Sequence, residues 1–329
     1  MIFFITYPDS ETHWQTMYNN CITSYLSSQD FEYEKIVVDF FSPGCHEVLQ
    51  YIQRIRSSPE DTWLLAWAQN PVIEVIEHKP GTKMGHVHGL QCFDFEPSVI
   101  AGVDLLECER FSRYDRIFLN SVWSYTNAVA AYPKHRSRFV VTGFPMDYAQ
   151  YDCYKHINKQ SSLVVFNQRF ALERIPTLVI EIASRLKQKG YTVVQLSGEP
   201  EQLIASRNPD LGKLLRVAKR AGLEFVYNKT KSEYLSRLAE ASVVITTSLC
   251  DNLPVSLLEA VYLDCVPIAP NALCFPEFIH IDNLYNPYAL DEIMRLVESR
   301  PVREHGIGKY HYSKVLDGYS IRSSSPTSL

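Results

Sequence analysis

The chain is 329 residues long, 46% hydrophobic and 21% charged, with a formal net charge of -5. That composition excludes a disordered or low-complexity polypeptide, and the acidic balance excludes a global positive field drawing it onto nucleic acid or anionic membrane. The length predicts two domains of similar size, each able to bury its own core.

The chain opens on Ile2-Phe3-Phe4-Ile5-Thr6-Tyr7, a short apolar run with no basic residue before it. This reads as a first strand rather than a signal peptide. Short β-rich runs then alternate with amphipathic segments, the mark of βαβ units and parallel sheets. In the first half the strands are predicted over 2–7, 35–40, 63–68, 82–86, 116–121 and 138–144, and the helices over 12–26, 46–56, 71–78, 98–111 and 123–131. Residues 145–162 are polar and lack periodicity, so the first domain is set at 1–150 and a linker at 151–162. The rhythm resumes with strands predicted over 163–166, 192–196, 224–227, 243–247 and 266–269. Helices are predicted over 174–187, 211–221, 231–239, 254–263 and 289–298. A second domain therefore spans 163–302. A C-terminal segment follows at 303–329, with a frayed tail at 322–327.

None of the eight cysteines forms a Cys-x-x-Cys pair, which argues against a zinc or thioredoxin motif. Several sit in apolar runs, as buried thiols do in a reducing compartment, and a cytoplasmic location is expected. No stretch approaches the roughly 18 apolar residues that span a bilayer. The chain has no Gly-x-Gly-x-x-Gly and no P-loop, and only 13 glycines. A dehydrogenase or P-loop reading is weakened accordingly. Two facing Rossmann-like domains without those loops point to ligand binding in an interdomain cleft, at the carboxyl ends of the strands.

The most informative stretch runs from Thr246 to Ala260. A strand ends near Thr247, a polar loop follows, and a helix begins near Pro254, a residue suited to the first helical turn. The amides of Val255 and Ser256 then face out of the helix N-terminus, where the helix dipole favours a diphosphate. Asp251 and Glu259, with seven residues between them, can address different parts of one ligand through bidentate bonds to hydroxyls. The plain alternative is a capping aspartate and a solvated glutamate. Against it, Glu259 lies between Leu257-Leu258 and Ala260-Val261, where an unpartnered carboxylate is costly.

Asp251-Asn252-Leu253-Pro254, Leu258-Glu259-Ala260 and Val266-Pro267-Ile268-Ala269 together resemble the signature of the retaining GT-B glycosyltransferases of family 4. That signature is Glu-x7-Glu, then Ala, then a Pro-containing strand, with Asp here at its first position. Phe275-Pro276-Glu277 is similar to the turn that follows it. A second match lies at Asn167-Gln168-Arg169-Phe170-Ala171-Leu172-Glu173-Arg174, where the family carries an Arg and, five positions on, a Lys that contact the donor diphosphate. Arg169 and Arg174 stand at that spacing, with Arg replacing Lys at 174. Two cations there would neutralise a leaving group that gains charge as the glycosidic bond breaks. The likeness covers residues 163–299 well and the first half in layout only. Within the family the chain looks most like the tRNA-queuosine α-mannosyltransferase type, which suggests a modified base of tRNA or DNA as acceptor.

The resemblance implies a GT-B fold and transfer of a sugar from a nucleotide diphosphate sugar to an acceptor hydroxyl with retained configuration. Arg169, Arg174, Asn252, Leu253, Pro254, Val255, Ser256 and Glu259 would bind the donor, Glu259 through the ribose. Asp251 would orient the transferred sugar, with Arg169 and His88 completing the catalytic set. His86, His88 and Gln91, in the stretch that leaves the fourth predicted strand, are the acceptor candidates, against the alternative of unliganded loop histidines. A metal at the histidines lacks a third ligand, and Asp94-Phe95-Glu96 reads as helix-capping acids. No metal and no resident cofactor are therefore expected. The competing readings are a sugar-nucleotide epimerase on the same fold and a non-catalytic nucleotide-sugar or nucleic-acid binding module.

Overall fold

A computed structural model describes residues 1–9, 14–90 and 103–321, the side chains of 103–105 aside. Gln91, the acids at 94–96 and the tail at 322–327 lie outside the described residues. The chain divides into two compact units, one formed by Met1–Asp147 together with the C-terminal segment from Lys309, the other by Tyr148–Gly308.

Among the described residues the first unit holds a six-stranded parallel sheet. Its strands are β1 (Ile2–Thr6), β2 (Tyr33–Val37), β3 (Thr62–Leu65), β4 (Thr82–Val87), β5 (Arg116–Leu119) and β6 (Phe139–Val141), in the order β2-β1-β3-β4-β5-β6. Central strands such as Ile2–Thr6 and Thr62–Leu65 are buried along their whole length. This is why they read as near-continuous apolar runs rather than alternating ones. Phe3 stacks on Trp63 across the β1–β3 pair, with ring centroids 4.4 Å apart.

Gly85 interrupts β4 for a packing reason. A Cβ there would lie 2.7 Å from Tyr114 Cε1 and 2.9 Å from Ala68 Cβ, so the strand can approach these groups only without a side chain. Gly85→Ala is expected to cost about 1–3 kcal/mol of stability through overpacking. Chemical denaturation measures this, and an unchanged midpoint would mean that the Tyr114 ring yields instead.

The second unit holds a second six-stranded parallel sheet. Its strands are β7 (Gln160–Phe166), β8 (Thr192–Ser197), β9 (Leu223–Tyr227), β10 (Ala241–Ile245), β11 (Val266–Pro270) and β12 (Leu284–Tyr285), in the order β12-β11-β10-β7-β8-β9. The helices Pro176–Gln188, Pro209–Ala221 and Leu290–Ser299 contribute Val179, Leu186, Leu215 and Ile293 to one core with Val164, Phe166, Val243 and Ile268 of the sheet. The strand order reverses between β7 and β10, the place where α/β sheets open a crevice at their carboxyl edge.

Two boundaries differ from the expectation. Residues 151–162 are not a linker. Tyr148–Tyr154 forms a 3-10 turn with Tyr148 and Tyr151 buried, and β7 already starts at Gln160. The three leading residues of β7 are exposed, so their polarity hides the strand, while tyrosines bury their rings and still find partners for their hydroxyls. The C-terminal segment, expected as a separate stretch from 303, belongs to the first unit from Lys309 onward. Its helix Tyr312–Asp317 packs against the helix Trp14–Ser28 of the first unit, where Tyr25 Oη donates to Asp317 Oδ1 at 2.8 Å.

Candidate active site

In the second unit the loops after β7 and β10 are tied together by one buried side chain. Gln168 Nε2 donates to Thr247 Oγ1 (2.8 Å), and its Oε1 accepts from Thr246 Oγ1 (2.9 Å) and the Thr247 amide (3.1 Å). Leu249 N donates to Glu173 O at 2.8 Å. These bonds fix the position from which Arg174 reaches across. Its Nη1 donates to Cys250 O (3.0 Å) and also contacts Ser248 Oγ and Asp251 Oδ2. The two charged side chains are 14% and 12% exposed, so the ion pair is mostly withdrawn from water.

Ile175, which follows Arg174, has φ 48° and ψ 68°. A β-branched residue in the left-handed region carries about 1–2 kcal/mol of strain. Leu273 and Tyr288 also have positive φ, and all three line a shallow apolar cleft with Thr247, Ser248 and Leu249. Three of the seven positive-φ non-glycine residues found among the described residues thus lie beside the Arg174 corner, and such strain is often found at ligand sites.

The helix Val255–Tyr262 begins one residue later than expected. Pro254 is its N-cap, with φ -78° and ψ 97°, and no side chain caps it. Helical geometry leaves the Val255 and Ser256 amides without intrahelical acceptors. Val255 and Ser256 are half-buried, as are Asn252 and Pro254, whereas the Leu253 side chain is buried, leaving its backbone to meet a ligand.

Arg169 is 59% exposed and pairs with Glu173 Oε1 at 3.1 Å. The same Glu173 oxygen lies 3.8 Å from Arg174 Nε. Glu173 therefore bridges the two arginines, a role not read from the sequence although the residue lies between them in the chain. A helical i, i+4 spacing between 169 and 173 was the available signal.

Glu259 is 1% exposed. Its Oε1 accepts from Tyr151 Oη (3.1 Å) and lies 2.6 Å from Lys231 Nζ, while Oε2 is buried and accepts no hydrogen bond. The Tyr234 phenol lies beside the carboxylate. Burial first, and Glu259 second, hold its proton on far above the usual tyrosine range. Lys231, missed in the sequence, opens the helix Lys231–Glu240 behind a capping box of Thr230 and Glu233.

The first-unit candidates separate. His86 is fully buried, so its assignment to acceptor binding is corrected. Tyr319 Oη donates to His86 Nδ1 (2.5 Å), and His86 Nε2 donates to Asn120 Oδ1 (2.6 Å). Asn120 Nδ2 donates onward to His88 O at 3.2 Å, which identifies its Oδ1 as the acceptor. His86 is thus a satisfied core histidine. Burial pushes its imidazole down from 6.5 to about 4, against a smaller upward pull from the Asn120 hydrogen bond. The folded protein binds this proton less well than the unfolded chain does. The stability gained from neutral His86 is full above pH 6.5 and is lost as the pH falls toward 4. The expected loss is about 3 kcal/mol, read as a falling denaturation midpoint that a His86→Asn variant would flatten.

His88, just beyond β4, is partly exposed. Its Nε2 donates to Ala66 O (2.8 Å), and its ring packs against Trp14 with centroids 3.9 Å apart. Among the described residues no group of three or more His, Cys, Asp or Glu side chains is placed to hold a metal ion. None of the helices there is long and apolar enough to cross a membrane.

Two α/β units of this construction, each a six-stranded parallel sheet bordered by helices, define the GT-B glycosyltransferase fold. Sucrose-phosphate synthase from Thermosynechococcus elongatus has the same architecture, with a TM-score of 0.70 at 12% identity over 97% of this chain and 96% of that one. Anabaena HepE in complex with UDP and glucose matches with a TM-score of 0.61 at 11% identity, over 97% and 96%. In sequence, 126 residues are 28% identical to the tRNA-queuosine alpha-mannosyltransferase of Drosophila melanogaster. That match covers 37% of this chain and 32% of the relative, so the chain spans about a third of that protein's length. No protein-family model matches the chain.

Proposed function

We propose that the protein is a glycosyltransferase that takes a sugar from a nucleotide diphosphate sugar and delivers it to an acceptor hydroxyl with retained configuration. The observation that carries this reading is the Arg174 guanidinium lodged on the loop that opens the helix Val255–Tyr262. A cation and outward-facing helix amides at one corner are what a diphosphate leaving group requires. The Anabaena neighbour was solved with UDP and glucose, which supports a nucleoside diphosphate as the class of ligand.

In the proposed reaction the bond between the anomeric carbon and the diphosphate oxygen breaks, and the leaving group takes the electron pair. The acceptor oxygen attacks on the same face and its proton passes to a diphosphate oxygen. Arg174 and the amides of Val255 and Ser256 stabilise the departing charge, Arg169 supplies a second, more exposed cation, and Asp251 orients the sugar. No divalent cation is needed on this reading, so activity should persist in EDTA. Acceptor contacts are assigned to the first unit, where His88 is the partly exposed candidate. The name of the Drosophila relative favours a modified base of tRNA as acceptor, and a cytoplasmic location suits that substrate.

The test is calorimetric titration with UDP and GDP, followed by a transfer assay with the matching sugar nucleotides and queuosine-containing tRNA. Binding without turnover across donors and acceptors would favour a binding module, and donor conversion without acceptor would favour an epimerase.

A further inference from the structure

Burial of Glu259 raises a problem that its expected contact with a ribose does not resolve. A carboxylate 1% exposed cannot meet a ligand by itself, and one of its oxygens is buried without a hydrogen-bond donor. Leaving such an acceptor unsatisfied carries a desolvation cost. Of the two side chains that bond Oε1, Tyr151 is fully buried and Lys231 is 40% exposed. Of the two, Lys231 is therefore the partner that a ligand in solvent can meet.

That ammonium is held in place from two sides. Glu259 Oε1 lies 2.6 Å away, and the Tyr234 ring lies beneath it with the centroid 4.6 Å from Nζ. An ammonium has three donors, and Glu259 takes one of them. Lys231 therefore keeps N–H donors to spare, on an ammonium that Glu259 and the Tyr234 ring hold in one place. A hydroxyl can accept from them, and a vicinal diol offers two such hydroxyls.

We propose that Lys231, held in place by Glu259, is a donor-binding residue that bonds the ribose diol of the nucleotide. This rests on the nucleotide-sugar reading above. Tyr151 has the supporting part: its bond to the same Oε1 helps fix the carboxylate that holds the ammonium.

The experiment is calorimetric titration of the wild-type protein, Lys231→Met, Lys231→Arg and Tyr151→Phe with UDP and 2′-deoxy-UDP, and with the GDP pair should guanosine be the preferred base. Circular dichroism establishes that each variant is folded. The wild type is expected to bind the ribonucleotide about tenfold more tightly than the deoxynucleotide, one charge-assisted hydrogen bond's worth of discrimination. In Lys231→Met that ratio should fall to about twofold or less, and Lys231→Arg should restore most of it. Tyr151→Phe keeps the ammonium and should lower the ratio only partly, which keeps the test informative should Lys231→Met fail to fold. A role confined to stability would lower the melting temperature and leave the ratio intact. A wild type that binds UDP without preferring the ribose, or a Lys231→Met variant that keeps the preference, overturns this inference alone. A wild type that binds no nucleoside diphosphate overturns the nucleotide-sugar reading itself.

Discussion

Arg174→Ala is expected to abolish sugar transfer and to weaken nucleoside diphosphate binding by about tenfold to a hundredfold. The lower figure corresponds to one hydrogen bond from a charged donor and the upper to two. The variant should also be less stable. Arg174 and Asp251 are both mostly withdrawn from water, and removing one member leaves a carboxylate without its cation. The expected cost is about 2–3 kcal/mol, somewhat below that of a fully buried pair. The two effects are separable. Arg174→Ala combined with Asp251→Asn removes the stranded charge and should recover part of the stability while nucleotide binding stays weakened. Calorimetry and chemical denaturation of both variants read this directly. A folded Arg174→Ala protein with wild-type affinity for UDP and GDP would remove the diphosphate from this corner. Arg169→Ala is expected to have a smaller effect on binding, because its guanidinium is largely exposed and water screens it.

The second large effect is expected far along the chain, at Tyr319. Its ring is fully buried and stacks on Phe118 with centroids 3.8 Å apart. Its hydroxyl accepts from Tyr18 Oη at 3.0 Å and donates to His86. Tyr319→Ala opens an aromatic-sized cavity and leaves His86 Nδ1 unpaired, so a loss of about 4 kcal/mol is expected. Tyr319→Phe keeps the packing and removes only the hydroxyl, at about 1–2 kcal/mol. The damage should reach His88 as well, because the relay continues through Asn120 to the His88 carbonyl. Amide exchange along β4 and β5 is the measurement. Protection there that survives Tyr319→Ala would show that the C-terminal segment does not brace the first unit.

Much of this was legible in the residues. Parallel strands buried on both faces leave short apolar runs, so eleven of the twelve strands found among the described residues were placed with errors only at their ends. The missing one, Leu284–Tyr285, is two residues long and has no period to detect. The short helices Glu201–Arg207 and Tyr312–Asp317 escaped for the same reason. The corner at Asp251-Asn252-Leu253-Pro254 was visible because a polar loop between an apolar strand and an apolar helix is a local pattern.

His86 and His88 were not separable in this way. They stand two positions apart where β4 leaves the sheet, and only the packed structure buries one and leaves the other partly open. Arg174 and Asp251 are 77 residues apart, and Lys231 and Glu259 are 28 apart. By itself the sequence determined that there are two α/β units, where their strands run, and which charged residues flank the helix at Val255. Only the tertiary structure decided which of those charges pair, because pairing depends on distance through space. It likewise decided that Glu259 is buried against Lys231, because the cost of burying a carboxylate is set by neighbours that strand order, not chain order, brings to it.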